Sequence, residues 1–434
     1  DCYNAESGAV EGNGENTGGV VGSMTGGARS SGLYNAGIVS GSGTYTGGVI
    51  GYLNAGIIIP TLDLSGNYVF TSFNRGTVVS TGYYVAGVIG HLESSFPSYG
   101  VGNVPNYLNR CYNLGTVSGE GAETLAAGIT GRNSHSEGGY PTICYALDCF
   151  NYGTVTAVDG ANVGAVSVEG YEYNQNGYYL AGSLFSGEKE DRTPLEEVPR
   201  DAATAASKTA PEFASGLVSY LLDRSDGEER TEYWGQGELY PVLKDTDHPA
   251  VYQLAVVTEG PPDGFIPTGE GSSVNSITFG PDTVRAVYVP KGSPVTLGFT
   301  LKEGYLLDYV EAAASGTGFP VKVNDADKTI GLNMPPSGRD AVITAVFSEV
   351  PADPDAEFTI TFEANGGKWQ DGSSQKVLPV KAGNRAKPPE EDPRYECGPL
   401  GIASFTGWYA DEECTVPYYF AYTIKENIVL YAGW

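Results

Sequence analysis

The sequence predicts a mainly β protein: a solenoid of short strands, closed by a small α/β cap and followed by two small β modules. Three observations predict it. One short phrase recurs five times between Cys2 and Ala157. A single amphipathic helical stretch with a capping signature follows, starting near Thr209. Beyond Val257, two groups of alternating strand segments are set apart by Pro/Gly-rich joints.

The repeat comes first because a fixed period of this size marks a stacked array. Its phrase reads CYNAESGAVEG at the start, LYNAGIVSG from 33, SFNRGTVVS from 72, RCYNLGTVSG from 110 and DCFNYGTVTA from 148. The Gly-X-Val units start at Gly8, Gly37, Gly76, Gly115 and Gly153, one shorter interval followed by a nearly constant one. A second phrase follows each: GGVVG at 18–22, GGVIG at 47–51, AGVIG at 86–90, AGIT at 127–130 and VGAVS at 163–167. A third segment carries an aromatic residue, as in Leu33-Tyr34, Ser72-Phe73, Cys111-Tyr112, Cys149-Phe150 and Tyr178-Tyr179. Alternating small apolar and polar residues read as strands, and glycines at both ends suit sharp turns and φ > 0. Three strands and three corners per coil are expected, with equivalent residues stacked about 4.8 Å apart. Val10, Val39, Val78, Val117 and Val155 form one expected inward ladder. Asn4, Asn35, Asn74, Asn113 and Asn151 form another at a corner, where Asn bonds its neighbour's amide and tolerates left-handed backbone.

Composition bounds the partners. The net charge is −28 and the pI is near 4.3, so nucleic acid and anionic membrane surfaces are repelled. Apolar residues make up 41% of the chain, too many for a disordered one. No apolar run reaches the roughly 18 residues that a membrane-spanning helix needs, so this segment is not expected to be an integral membrane protein. The first residue already lies inside a repeat, and the natural protein is expected to extend beyond this stretch.

Burial and turn chemistry account for the ladders, which are read as framework. Binding is expected instead at the insertions 57–69, 92–107 and 132–143. They leave the coil at corresponding places and should emerge on one side. Phe96, Tyr99, Tyr107 and Tyr140 lie in them, as aromatics able to stack on sugars or peptides.

The Asn-X-Gly-X-Val-X-Gly…Gly-Gly-Val-Val-Gly pattern resembles the GLUG-motif repeat of bacterial cell-surface proteins, over about 1–180. Thr130 and Ala165-Val166 depart from it. The resemblance implies a right-handed β-helix-like stalk or binding region on a surface-exposed protein and no chemistry of its own.

Residues 181–256 are read as the cap that an open solenoid end requires. In TAPEFASGLVSYLLD, Thr209 and Glu212 form a capping box and Pro211 sits in the first turn, where its missing N–H costs nothing. Phe213, Leu217 and Leu221 are expected on the buried face. YWGQGELYPVL resembles the segment that ends a GLUG array, and Trp234 is expected as a buried cap aromatic rather than a ligand platform.

Residues 257–350, with Lys302-Glu303-Gly304-Tyr305, Asn333-Met334-Pro335 and Ile343-Thr344-Ala345-Val346-Phe347, resemble a divergent internalin-type B-repeat. Residues 351–434, with FTITFEANGG, SFTGWYADEECT and NIVLYAGW, resemble the Listeria–Bacteroides (internalin B-repeat) module. Its usual Gly-Tyr-X-Phe is replaced by Cys397-Gly398-Pro399-Leu400-Gly401-Ile402-Ala403. These resemblances imply surface-protein spacer or binding modules. The full expectation is therefore a right-handed parallel β-helix-like solenoid with a small α/β cap, followed by two small β-grasp-like or β-sandwich-like modules strung in sequence. Trp408 and Trp434 are expected in the core of the last one.

Six cysteines form no zinc pattern. Cys397 and Cys414 flank one strand region and are expected to pair as a disulfide. Cys111 and Cys149 share a repeat position, but parallel side chains are poorly aimed for a bond, so they are read as buried thiols.

Some β-helices are lyases and hydrolases, though a fold is no warrant for chemistry. No lysine precedes Lys189, and Arg29, Arg75, Arg110 and Arg132 are scattered. Asp63, Asp148 and Asp159 stand alone, short of the paired carboxylates that glycosidases use. His91, His135 and His248 do not make a zinc pattern. Asp245-Thr246-Asp247 and Asp325-Ala326-Asp327 read as solvated turns rather than calcium ligands.

The expectation is a non-enzymatic, cofactor-free, monomeric extracellular protein of a Gram-positive commensal, at the cell surface or attached to the cell wall, with its signal peptide and anchor outside this stretch. Its partner is a host or microbial glycan or an extracellular protein, and its task adhesion or ligand binding. Two alternatives stand beside it: a structural stalk presenting another domain, and an accessory region of a surface glycan- or protein-degrading enzyme.

Overall fold

Each repeat folds into one coil, and each coil carries five short strands rather than three. Corresponding strands of successive coils pair in parallel, which makes five sheets along the solenoid. The first sheet stacks Tyr3–Asn4, Tyr34–Asn35, Phe73–Asn74, Tyr112–Asn113 and Phe150–Asn151, then Gly177–Leu180 and Ala205–Lys208. The second stacks the Gly-X-Val strands Ala9–Gly12, Ile38–Gly41, Thr77–Ser80, Thr116–Gly119 and Val155–Ala157. Each second phrase bends at its glycine pair and supplies two strands, as in Tyr45–Gly47 and Ile50–Asn54. These belong to the third and fourth sheets. The fifth sheet holds Arg29–Ser31, Tyr68–Phe70, Asn106–Asn109, Cys144–Leu147 and Glu172–Gln175, a strand with no repeated Gly-Val phrase to announce it.

This computed structural model describes residues 2–54, 66–94, 105–135, 144–170, 172–195, 205–224, 232–259, 285–299, 301, 303–396 and 403–434. The chain divides into two compact units, Asp1–His248 and Pro249–Trp434.

In the first unit both ladders form in the expected register. Val39, Val78, Val117 and Val155 are wholly buried and aligned. The Asn amides bond in a chain, each Nδ2 donating to the next Oδ1: Asn4 to Asn35 at 2.8 Å, then Asn35 to Asn74, Asn74 to Asn113 and Asn113 to Asn151 at 2.7 Å each. The Gly-X-Val glycines serve a different purpose from the expected φ > 0. A Cβ on Gly76 would lie 2.0 Å from the Gly37 carbonyl oxygen, and one on Gly115 would lie 1.9 Å from that of Gly76. Neighbouring coils approach too closely there for any side chain. Positive φ falls at another corner, on Gly32, Thr71, Arg110, Asp148 and Asn176.

The capping box at Thr209 forms, with Pro211 in the first turn. Gly216, at φ 84°, then splits the expected helix into Ala210–Ala214 and Leu217–Leu222. The break shifts the helical phase, so Phe213, Val218 and Leu222 are the core residues, and Leu217 and Leu221 are only half-buried. The core residues pack with the wholly buried Trp234 on Tyr112 and Phe150, the last rungs of the aromatic ladder Tyr3–Tyr34–Phe73–Tyr112–Phe150. Cys111, Cys144 and Cys149 are buried free thiols.

The second unit begins earlier than the expected boundary at 257. Strand Val251–Glu259 pairs with Arg285–Pro290 and runs parallel to Ala341–Glu349, which pairs in turn with Tyr305–Ala314. It therefore belongs to this sheet and not to the cap. Against it lies an antiparallel sheet of Pro294–Gly298, Thr329–Asn333 and Val321–Asn324, with Leu297, Ile330, Ile343 and Phe347 in the core between. A four-stranded sheet follows, ordered Gln375–Lys381, Glu357–Glu363, Ile428–Gly433 and Gly407–Tyr409. Trp408 is buried in its core and Trp434 is half-buried against it.

These two β modules are not loosely strung. A β-bulge between Leu307 and Tyr309 turns Asp308 towards the last module, where it meets Thr423 and Lys425. Arg385, with its side chain 7% exposed, donates to the carbonyls of Leu307, Asp308 and Ala421 and pairs with Asp325 at 3.1 Å.

Candidate functional site

The three insertions leave the solenoid at one corner. Each connects a fourth-sheet strand (Ile50–Asn54, Ile89–Ser94 or Thr130–His135) to a fifth-sheet strand (Tyr68–Phe70, Asn106–Asn109 or Cys144–Leu147). Their stems pair coil to coil, Asn54 with Glu93 and Glu93 with Ser134 on one side, Tyr68 with Tyr107 and Tyr107 with Tyr145 on the other. Two buried asparagines close the stems. Asn67 Nδ2 donates to the Asn54 carbonyl at 2.6 Å and Asn106 Nδ2 to the Glu93 carbonyl at 2.5 Å. Asn67 also donates to Asn106 Oδ1 at 3.0 Å, which ties one stem to the next.

Of the four aromatics singled out from sequence, Phe96, Tyr99 and Tyr140 lie outside the described residues. Tyr107 does not present a free face for a sugar. Tyr68 and Tyr145 cover its two faces at centroid distances of 4.8 Å, nearly parallel, and the Arg29 guanidinium covers Tyr68 at 4.9 Å. What this row offers a ligand is ring edges and phenol groups. Partial burial, followed by the neighbouring Tyr68 and Tyr145 phenols, raises the Tyr107 pKa, so its hydroxyl stays protonated at neutral pH.

On the other side of the stems, Tyr52, His91 and Arg132 lie in register across the fourth sheet. The buried His91 ring packs on Tyr45 at 4.2 Å and Tyr52 at 5.1 Å, and its Nε2 is 2.7 Å from Ser134 Oγ. Burial, then the Arg132 charge, pulls the His91 pKa down to about 3. Tyr52 donates to Glu93, and burial and that carboxylate push the phenol up to about 12. Asn54 Nδ2 donates to Tyr52 Oη at 2.6 Å and to Glu93 Oε2 at 3.2 Å, and Arg132 Nη1 donates to Tyr45 Oη at 3.2 Å. His91 and Ser134 have the separation of a base and nucleophile but not the chemistry. A base with a pKa near 3 takes a hydroxyl proton poorly, and among the described residues His91 Nδ1 has no hydrogen-bond partner to orient the ring.

Sequence reasoning found Tyr107 but missed Tyr68 and Tyr145, although all three recur at the period of the repeat itself. It missed the Tyr52–His91–Arg132 row because these residues differ in type and belong to no repeated phrase. Cys397 lies outside the described residues. Cys414 Sγ is 3.5 Å from the Ala432 carbonyl. The acidic doublets are turns: Asp245 accepts from the amides of Asp247 and His248, Asp325 pairs with Arg385, and Asp327 accepts from Asn324. Among the described residues no three His, Cys, Asp or Glu side chains converge as metal ligands, and no helix is long and apolar enough to cross a membrane.

Residues 358–433 match the family model of the Listeria–Bacteroides repeat domain, in agreement with the sequence reading of the last module. No curated protein matches the chain. Among solved structures, a protein described as "a putative immunoglobulin A1 protease from Bacteroides ovatus" is 18% identical, over 56% of this chain and 76% of that one, with a TM-score of 0.30. A likeness that slight carries no argument about this chain.

Proposed function

We propose that this is a non-enzymatic protein of the extracellular cell surface whose solenoid binds a glycan or a protein at the insertion corner. The observation that carries the reading is the register of the three stems. Repetition places the stems of three otherwise unrelated insertions side by side, between the Tyr68–Tyr107–Tyr145 row and the polar-aromatic face around His91. Single insertions scattered round the coil would not build a continuous surface. Residues 1–180 are read as GLUG repeats and 257–350 as a divergent internalin-type B-repeat. The Listeria–Bacteroides repeat at 358–433, a module typical of surface proteins, supports the location. The acidic charge supports a partner other than nucleic acid. The low basicity of His91 supports binding over hydrolysis.

The full chain is tested on arrays of host glycans, mucins and matrix proteins, beside a Tyr52→Ala/Arg132→Ala variant and a chain with 95–104 replaced by Gly/Ser. Binding by the natural chain that either change reduces tenfold or more supports the corner. Silence of a folded natural chain moves the reading to a stalk. Turnover of an arrayed substrate overturns the non-enzymatic part.

A further inference from the structure

The second unit contains a cleft that the reading above does not use. The three-stranded sheet buries alternate residues, Val295, Leu297, Ile330 and Leu332, in its own core. Its other face is polar and open, with Thr296, Gly331 and Lys322 aligned across the strands. Opposite stand Leu378, Val380 and Phe420, at the margin of the last module's core. Together they enclose a cleft of about 1030 Å³, and a second lobe of about 640 Å³ continues past Tyr419 and Phe420.

Charge separates this cleft from the composition of the chain. The sequence carries 52 acidic and 24 basic residues, yet among the described residues the larger lobe is lined by Lys322, Lys381, Arg385 and Lys387 against a single acid, Asp325. Arg385 already pairs with Asp325 at 3.1 Å, and Lys381 with Asp355 at 2.8 Å in a solvent-exposed contact. Among the described residues Lys322 and Lys387 make no ion pair, and both are exposed. A local positive field inside a strongly acidic molecule concentrates anions there. The walls limit what kind of anion. The floor is a sheet face, which presents side chains rather than main chain, and Pro379, in the edge strand of the opposite wall, has no N–H. A peptide adding as a strand beside Gln375–Lys381 would find no N–H donor at Pro379. Side-chain donors such as Thr296 and Thr329, beside the Tyr419 ring, match the hydroxyls and ring faces of sugars.

We propose that this cleft binds an anionic polysaccharide, a glycan bearing carboxylate or sulfate groups, with Lys322 and Lys387 as its principal charge contacts. The full chain is titrated with heparin for sulfates, polygalacturonate for carboxylates, dextran as the neutral control and poly-glutamate as the peptide control. The expected result is binding of at least one acidic glycan and none of dextran. Lys322→Gln/Lys387→Gln should weaken it about tenfold, the scale two exposed ion pairs support, and salt at about 0.5 M should remove most of it through screening. Preference between the two glycans names the anion. Because both lysines are exposed, the variant should melt where the natural chain does, and Lys322→Glu gives a second, charge-reversed check. No binding of either acidic glycan overturns the proposal, as does binding that both variants leave unchanged. Poly-glutamate binding as tightly, with the same lysine dependence, overturns the choice of a glycan.

Discussion

Asn74→Ala tests whether the buried amide chain holds the coils together. Asn74 is wholly buried, donates to Asn113 Oδ1 at 2.7 Å and to the Gly76 carbonyl at 3.1 Å, and accepts from Asn35 Nδ2 at 2.7 Å. Truncation leaves one Asn35 hydrogen and one Asn113 lone pair without partners, in a place water does not reach. Each orphan costs about 1–2 kcal/mol, and the small void adds about 1 kcal/mol, for a total of about 3–5 kcal/mol. Asn4→Ala is the internal control. Asn4 sits only half-buried in the first coil and makes one such bond, so its loss should cost about 1 kcal/mol. Stability in a solenoid is local and nearest-neighbour in character, and a two-unit chain has no single unfolding free energy. The suitable assay is therefore amide hydrogen exchange read by mass spectrometry on peptides covering 72–80 and 110–119. Asn74→Ala should speed exchange there by roughly a hundredfold or more, at about 1.4 kcal/mol per factor of ten, and leave 357–381 unchanged. Equal, small effects of the two substitutions would refute the reasoning and assign coil cohesion to the valine ladder and main-chain pairing alone.

Three further outcomes are expected. Arg385→Met should lower the calorimetric midpoint of the second unit by an amount equivalent to about 3 kcal/mol, because three main-chain carbonyls lose a charged donor while Asp325 remains half-exposed; an unchanged midpoint would show that the modules do not depend on this lock. His91 is held neutral in the fold, with its pKa lowered from the ordinary 6.5 to about 3. Its stabilising contribution is thus complete above about pH 6.5 and lost as pH falls towards 3, at up to about 1.4 kcal/mol per pH unit. His91→Asn should flatten the first unit's melting profile in that window, and an equal acid slope in both proteins would count against the burial of His91. Asp148 is buried, and burial raises its pKa above the usual carboxylate range despite Asn176 and Arg110. Its contribution is greatest below the ordinary carboxylate pKa and is lost as pH rises through the raised value. Asp148→Asn, which tolerates the φ of 53° and can still accept from Asn176, should raise the first unit's midpoint at pH 7 by a margin that shrinks towards pH 4. A lower midpoint at pH 7 would contradict the sign.

The solenoid was legible because its physics is written in repetition. Parallel stacking brings each residue against its equivalent one coil away, so the Val and Asn ladders could be read from spacing alone. The capping box was equally legible, since its two bonds join Thr209 and Glu212 within a single helical turn. The last module was recognisable over a stretch the family model also covers. Five strands in place of three, and Val251–Glu259 in the second unit, were not legible. A strand without a repeated phrase gives no periodic signal, and pairing partners far along the chain leave no mark in local composition.

At the level of single residues, the sequence by itself determined which positions must be glycine, valine or asparagine, but not why. The glycine of Gly-X-Val is required by a neighbouring carbonyl 2.0 Å from where a Cβ would sit, and only the packed coils reveal that approach. Gly216 looked like one residue of a helix, and the fold made it the break that re-phased the cap. Tyr107 looked like an open platform, and the stacking of adjacent coils closed both its faces. The insertions could be counted from sequence. The register of their stems at one corner exists only in three dimensions, and so does the basic cleft, whose Lys322 and Lys387 come from separate modules of the second unit. Local chemistry fixes which groups a chain must bury or bond, whereas a site is made by groups brought together from distant segments, and that meeting is decided by tertiary packing.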